Sequence, residues 1–297
     1  MMSEMDNIKI VFSIAVHESR ECVLDMCRNI SYFVPNSKII VHCARGFDLL
    51  IPDELKNVVI INPERFTSGF MDGTLTLIHL SNLFFALDED IRFDYFCPFG
   101  SNQLFVKHGF ESYISNYDSS LTVDLSNLDS QSKIFRRDRY TQKIISSNSF
   151  HKSAPEGCFY RGDLVREALQ REDVRQWFID SKQYYSTKHS LVIRKIIRQV
   201  IRIFRLAKLE IFIPSCLARF GYATEEVVLP SLFSGQKKGE KTCFIPWDRA
   251  SLSITKADID KIIKEETSLY SVKRVERNID DIIRQYIRVE VGNNYER

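Results

Sequence analysis

The run IKIVFSIAVHESRECVLDMCRNISYFVPNSKIIVHC, residues 8–43, decides the fold class. Its two ends, IKIVFSIAV and SKIIVHC, are short apolar runs rich in Ile and Val, the pattern of fully buried strands. Between them SRECVLDMCRNISYF carries its apolar residues at helical spacing. The alternation continues downstream. NVVIINP (57–63) reads as a third strand, GTLTLIHLSNLFFALD (73–88) as a helix apolar all round and therefore buried, and FDYFCPFG (93–100) as a strand ending at Gly100. Buried β-branched runs alternating with helices predict an α/β fold, an open and mostly parallel sheet flanked by helices. Such sheets bind ligands beyond the carboxyl ends of their strands. Residues just after the runs are thus candidate pocket positions: His17, His42 to Arg45, Pro63 to Arg65 and Gly100 to Gln103.

The 297 residues suffice for one large α/β domain or two packed lobes, and 44% hydrophobic with 27% charged residues is a globular composition. A formal net charge of +2 excludes a molecule built as a whole to bind polyanions, and no nucleic-acid partner is expected. Seven scattered cysteines form no CxxC, so neither a zinc site nor a disulfide framework is predicted. The N-terminus enters an apolar run without a basic leader, and nothing reaches the roughly eighteen apolar residues of a membrane span. The expectation is a soluble protein of a reducing cytoplasm.

From Asn116 to Phe150 the chain turns polar around the basic knot KIFRRDRYTQK, a long connection or a solvated surface loop. GCFYRGDLVREALQRE (157–172) reads as a strand running into a helix. In LVIRKIIRQVIRIFRLAKLEIF (191–212), Arg194, Arg198, Arg202 and Arg205 form one helical stripe opposite Ile193, Ile196, Ile197, Val200 and Phe204. Such a helix suits an anionic membrane surface, or equally a core helix with solvated arginines.

Two Asp-x-Asp triplets occur. Asp88-Glu89-Asp90 falls in a turn between helix and strand, and Asp258-Ile259-Asp260 opens a helix where Thr255 and Asp258 make a capping-box pattern. Both placements are wrong for a catalytic cation, and the six histidines contain no HExxH. No metal and no cofactor are expected. GxGxxG, Walker A and GxSxG are absent. What remains is a C-terminal series: YATEEVVLPSLF (222–233) with an acidic pair, KTCFIPWDRASLSITKADIDKII (241–263) with a Trp-containing strand and a capped helix, and SLYSVKRVE (268–276) with a Lys-Arg pair.

The order of these segments resembles glycosyltransferase family 14, the core-2/I-branching N-acetylglucosaminyltransferases and peptide xylosyltransferases. Residues 8–46 look like the family's opening, a strand ending at a His, a helix, and a second strand ending in His-Val-Asp. Residues 61–87 are similar to its segment with a basic residue and a long helix, and residues 93–114 to its strand ending in a Ser-Gly-x-Asp-x-Pro turn. GCFYRGDLVREAL resembles the family's Gly-Ser-x-Tyr/Trp strand and helix. ATEEVVLPSLF is similar to the Pro-Asp-Glu helix carrying the catalytic base, and FIPWD, DIDKI and SLYSVKRVE look like its closing run. The Asp after the second strand's His is replaced around Cys43 and Ala44, and the turn's Asp is Asn102.

The resemblance implies a GT-A-like single catalytic domain with a helical acceptor-side portion, residues 1–115 forming a nucleotide-sugar-binding half and 116–297 an acceptor-binding and catalytic half. It implies an inverting, metal-independent glycosyltransferase moving N-acetylglucosamine or xylose from a UDP donor to a carbohydrate hydroxyl in surface glycan assembly. Glu226 falls on the general base and Lys273 on the lysine that contacts the donor diphosphate, with Lys241, Arg274, His17 and Arg65 also on the donor side. Asn102, Glu225 and Trp247 fall on the acceptor side. Partners so implied are a nucleotide-sugar donor and a glycan or lipid-linked glycan acceptor; the basic helix separately suggests an anionic membrane surface, at the inner face of the membrane. Chemically, a carboxylate can take the acceptor's proton while fixed cations hold the departing phosphates. Read without the resemblance, Glu225 and Glu226 are a first-turn acidic pair at a helix capped by Thr224, Lys273 and Arg274 a solvated strand edge, and Trp247 core. Alternative readings are a transferase using another activated sugar, or a catalytically degenerate, membrane-peripheral glycan-binding protein.

Overall fold

The computed structural model describes residues 8–17, 19–66, 74–120, 123–124, 151–153, 157–186, 209–219, 230–233, 253–265 and 267–295. The opening run forms β1 (Ile10–Val16), α1 (Arg20–Phe33) and β2 (Ser37–Cys43). β3 (Val59–Asn62), α2 (Thr74–Asp88) and β4 (Tyr95–Phe99) follow as the alternation predicts. β1 lies between β2 and β4 and is parallel to both, β2 is also parallel to β3, and β8 (Tyr160–Arg161) closes the sheet antiparallel on β4. The resulting order is β3-β2-β1-β4-β8, an open and mostly parallel sheet with helices on both faces.

Both faces of β1 are covered, which is why its sequence shows no polar alternation. Ile10, Phe12, Ile14 and Val16 pack with Val23, Met26, Cys27 and Ile30 of α1 in one core. Val11 faces the other way, into a second core with Leu77, Leu80 and Leu83 of α2. That second core is closed from outside by α5 (Glu172–Ser186), which follows α4 (Gly162–Leu169), and by α6 (Leu209–Arg219). Phe178 of α5 meets Phe84 of α2 at 4.7 Å between ring centroids, and Trp177 stacks on Phe212 of α6 at 4.5 Å. α2 is therefore buried on nearly every side, as its predominantly apolar sequence requires.

A second, three-stranded sheet has the order β5-β10-β9, made of β5 (Gln103–Phe105), β9 (Ser231–Phe233) and β10 (Ser271–Lys273). β10 is its middle strand, antiparallel to β5 and parallel to β9, so Lys273 is not on the strand edge that its sequence context alone suggests. Phe12 of β1 joins the two sheets, edge-on to Phe99 at 5.3 Å and to Phe105 at 5.7 Å. Both sheets take strands from either side of residue 115. The short α3 (Phe110–Ile114), the antiparallel pair β6 (Val123–Asp124) and β7 (His151–Lys152), and α7 (Lys256–Lys264) complete the frame before α8 (Ile282–Tyr286). The six described cysteines are buried, and burial pushes the Cys27 thiol up to about 12, as befits a small core hydrophobe. Among the described residues no helix is long and apolar enough to cross a membrane. The basic stripe Arg194 to Arg205 lies outside the described residues.

The C-terminal segment is held by a fully buried ion pair that sequence reading does not single out. Arg284 of α8 donates through Nη1 to Asp25 of α1, both side chains wholly inaccessible. Its remaining donors reach the carbonyls of Cys22 (3.4 Å) and Glu276 (3.3 and 3.4 Å), while Tyr295 donates to Asp25 at 3.1 Å. Arg288 also reaches Asp25, at 3.7 Å. Removing Asp25 leaves the Arg284 charge buried without its carboxylate, which costs about 3–5 kcal/mol. Asp25→Ala is expected to lower stability in urea by that amount, and adding Arg284→Met to recover a substantial part of it. Losses that simply add, the double variant falling by the sum of Asp25→Ala and Arg284→Met measured singly, would show that the pair is not coupled.

Candidate functional site

The turn after β4 is built by its own residues. Gln103 N–H donates to the Gly100 carbonyl (3.1 Å), and its side chain accepts from Gly100 N–H (3.3 Å) while donating to Ser271 of β10 (3.0 Å) and Ser231 of β9 (3.3 Å). Val275 N–H donates to the Asn102 carbonyl at 3.1 Å. Gln103 is thus a buried clamp that fixes β10 against this turn and sets Lys273 directly over Gly100. A Cβ on Gly100 would sit 2.9 Å from Lys273 Cε and 3.2 Å from Nζ. The glycine is what lets the lysine lie there.

The result is a pocket of about 200 Å³ beyond the carboxyl ends of β1 and β4. His17 enters it from β1, His79 from α2, and Ser101 and Asn102 from the turn. Lys273 and Arg277 close it from β10 and its exit, with Arg277 donating to Ser101 at 3.2 Å. No acid is found among the described residues that line it. Two cations, two imidazoles, an amide and a hydroxyl around one small space are chemically suited to an anion. A larger cavity of about 470 Å³ opens at the opposite, amino-terminal ends of the strands, where Lys9, Lys38 and Arg92 are mixed with Glu89 and Asp90. Size favours that cavity, but in an open parallel sheet the position and convergent donors favour the smaller one.

The structure therefore brings together Lys273, His17 and Asn102, which the sequence nominates far apart. Arg274 is exposed in a left-handed conformation, φ 66°, just outside the pocket lining. Arg65 lies past β3, donating to the Phe47 carbonyl (2.9 Å) and facing Asp48, away from the pocket lining. Glu226, Glu225, Lys241 and Trp247 lie outside the described residues. Asp258 is occupied as a helix cap, accepting from Thr255 N–H (2.8 Å) and Oγ1 (2.7 Å), and Asp260 accepts from Tyr286. Asp88 ends α2, and Glu89 and Asp90 belong to the opposite cavity. Among the described residues no three His, Cys, Asp or Glu side chains gather as a cation site.

Two polar residues of the pocket, Arg277 and His79, are missed by sequence reading. Arg277 is one helical turn's distance beyond Lys273 in sequence but belongs to no motif. His79 left a fainter signal: it is one of few polar residues, with Ser81 and Asn82, in an otherwise apolar helix. Its pKa is pushed down to about 3 by burial, then by Lys273 and His42. His42 is pushed down to about 4, first by burial and also by Arg65; its Nε2 accepts from Phe66 N–H at 2.9 Å and its ring stacks on Phe66.

No family model matches the chain, and no curated protein matches it in sequence. Among solved structures it is similar to an active-site mutant of LgtC, with 9% identity, TM-score 0.40, and 96% of this chain and 95% of that chain covered. It is also similar to the galactosyltransferase LgtC in complex with donor and acceptor sugar analogues (9% identity, TM-score 0.41, the same coverage). A third similarity, to S. aureus TarS, covers 58% of this chain and 33% of that one at 9% identity and TM-score 0.31. At TM-scores below 0.5 these are loose likenesses of chain path, and nothing about substrate follows from them.

Two outcomes are expected from the site's chemistry. Gly100→Ala keeps the fold, because a flexible lysine end gives way before backbone does, but weakens binding of inorganic pyrophosphate about 3- to 10-fold by calorimetry. The second concerns acid. Unfolded, His42 and His79 bind protons below about pH 6.5; folded, they stay neutral until about pH 4 and 3. Stability is thus full above about pH 6.5 and lost as pH falls toward those values. His42→Asn is expected to remove about one proton from the slope of stability against pH in that window. An unchanged acid limb in denaturation curves would contradict it.

Proposed function

We propose that this chain is a GT-A-like glycosyltransferase whose anion-receiving pocket takes the diphosphate of a nucleotide sugar. The observation that carries the reading is the convergence of Lys273, Arg277, His17 and Asn102 beyond the ends of β1 and β4, with no acid among the described lining residues. A pocket of that size fits a pyrophosphate end rather than a whole nucleotide sugar, and leaves base and sugar to extend outward.

As the glycosidic bond to phosphate breaks, negative charge grows on the leaving diphosphate. Fixed cations close to it are worth more in the transition state than in the ground state, the condition for accelerating the step. Lys273, fixed by the Gln103 clamp, is positioned for this without reorganisation at the moment of reaction. Arg277 can share the load with its planar fork. Glu226, by its place in the segment series, is the carboxylate proposed to take the acceptor hydroxyl's proton. The finer reading is inverting transfer of N-acetylglucosamine or xylose from UDP, without a metal, to a glycan or lipid-linked glycan. The basic stripe Arg194 to Arg205 would then meet an anionic membrane.

A panel of nucleotide sugars assayed with and without EDTA tests this directly. Transfer that survives EDTA and prefers a UDP-linked sugar is expected; abolition by EDTA overturns the metal-free mechanism. Glu226→Gln is expected to cut turnover about 10²- to 10⁴-fold while UDP binding persists. Lys273→Ala is expected to weaken UDP binding about 10-fold or more. Full transfer by Glu226→Gln would falsify the base assignment.

A further inference from the structure

α2 is apolar on nearly all sides, yet it turns His79, Ser81 and Asn82 toward the sheet, where Ser13 and Asn62 meet them. Burying five polar side chains between a sheet and a helix is costly unless each is hydrogen-bonded. Here they form a single relay, and its direction is fixed at two points by backbone groups that cannot be reversed.

Glu64 N–H donates to Asn62 Oδ1 at 2.9 Å, which identifies the oxygen of that amide. Asn62 Nδ2 therefore donates to Asn82 Oδ1 (2.9 Å) and to Ser81 Oγ (3.0 Å). Asn82 Nδ2 in turn donates to the Ile40 carbonyl (3.1 Å), a backbone acceptor that confirms the amide's orientation, and to Ser13 Oγ (2.9 Å). Ser13 accepts from Asn82 and has one proton of its own. Its other partner among the described residues is His79 Nδ1, at 2.8 Å. Assigning that proton to Nδ1 makes Nδ1 the acceptor and leaves a neutral ring with its own proton on Nε2. Nδ1 is turned to the sheet and His79 lines the pocket, which leaves Nε2 as the ring nitrogen that meets it.

The ring is held neutral. Lys273 from β10 and His42 from β2 both act against its protonation, and burial acts more strongly than either. An imidazole kept neutral beside a lysine still offers one directed N–H where the lysine offers a net charge.

We propose that His79 is a ligand-contacting residue of the pocket, its Nε2–H donating to a phosphate oxygen of the nucleoside diphosphate while Ser13 and Asn82 hold the ring in that tautomer. The proposal rests on the diphosphate reading of the pocket. Lys273 and Arg277 supply attraction that salt screens; His79 supplies a short-range contact that fixes where one oxygen sits. Ser13 and Asn82 are positioning residues, since they act through the ring.

The test is UDP binding by calorimetry at low and high salt, for the wild-type chain, His79→Phe, His79→Gln and Lys273→Met. His79→Phe is expected to bind UDP about 10- to 100-fold more weakly with an unchanged salt dependence, and His79→Gln, which keeps an N–H donor, to recover part of the loss. Lys273→Met is expected to lose affinity and salt dependence together. In the wild-type chain, nitrogen NMR of the His79 ring should show the Nε2–H tautomer between pH 5.5 and 8, and Ser13→Ala should release it to a mixture. A wild type that binds UDP, with His79→Phe and His79→Gln binding equally well, overturns the role of His79 and leaves the pocket reading intact. An Nδ1–H ring overturns the relay even if His79→Phe does not fold. A wild type that binds neither UDP nor pyrophosphate overturns the diphosphate reading itself.

Discussion

The site depends on one constraint, that β1 is covered on both faces. A strand buried on two sides must fill two cores, and here the two are unlike. Toward α1 it presents Ile10, Phe12, Ile14 and Val16 in an apolar layer. Toward α2 it presents Val11 and Ser13, and Ser13 is where the apolar packing gives way to a hydrogen-bonded relay. Because side chains alternate along a strand, a shift of one residue would exchange these faces. Pairing on both sides, Ser13 with Ile40 and with Pro98, makes such a shift prohibitively costly. The carboxyl end of β1 is consequently a rigid floor for the pocket.

The second sheet acts as the wall. Its middle strand is short and would have little hold on its own. Gln103, buried and shared between Gly100, Ser231 and Ser271, ties all three strands to the turn after β4. Phe12, Phe99 and Phe105 back that junction with edge-to-face and stacked rings. From the other side, the buried Arg284–Asp25 pair anchors the chain that follows Arg277 to α1. Lys273 and Arg277 are therefore held at both ends of their segment, the preorganisation that electrostatic stabilisation of a leaving group requires.

Much of the framework was legible in the residues. The alternation of Ile- and Val-rich runs with helices predicted β1 to β4, α1 and α2, because local periodicity reports which faces are buried. The capping box at Thr255 and Asp258 was equally readable, since both partners lie within one helical turn. The rule that ligands sit past strand ends nominated His17 and Asn102, and both line the pocket. It also nominated His42, which instead lies buried under Phe66, and Arg65, which is turned to Phe47 and Asp48. A strand end supplies several residues, and packing by segments remote in sequence selects which of them face the ligand.

The sequence by itself determined the layers of this protein, since the period and breadth of apolar residues specify strand or helix and how many faces must be covered. It also marked Lys273, through the order of segments around it. Only the tertiary structure decided that β10 is a middle strand rather than an edge, that Lys273 lies against Gly100, and that Arg277 and His79 share its pocket. Each of those facts is a contact between segments far apart in the chain, and no local pattern encodes a contact whose partner is set by the closure of two sheets. The tautomer proposed for the His79 ring is the extreme case: it follows from the Ile40 carbonyl acting through Asn82 and Ser13, and from the Glu64 amide acting through Asn62 as well.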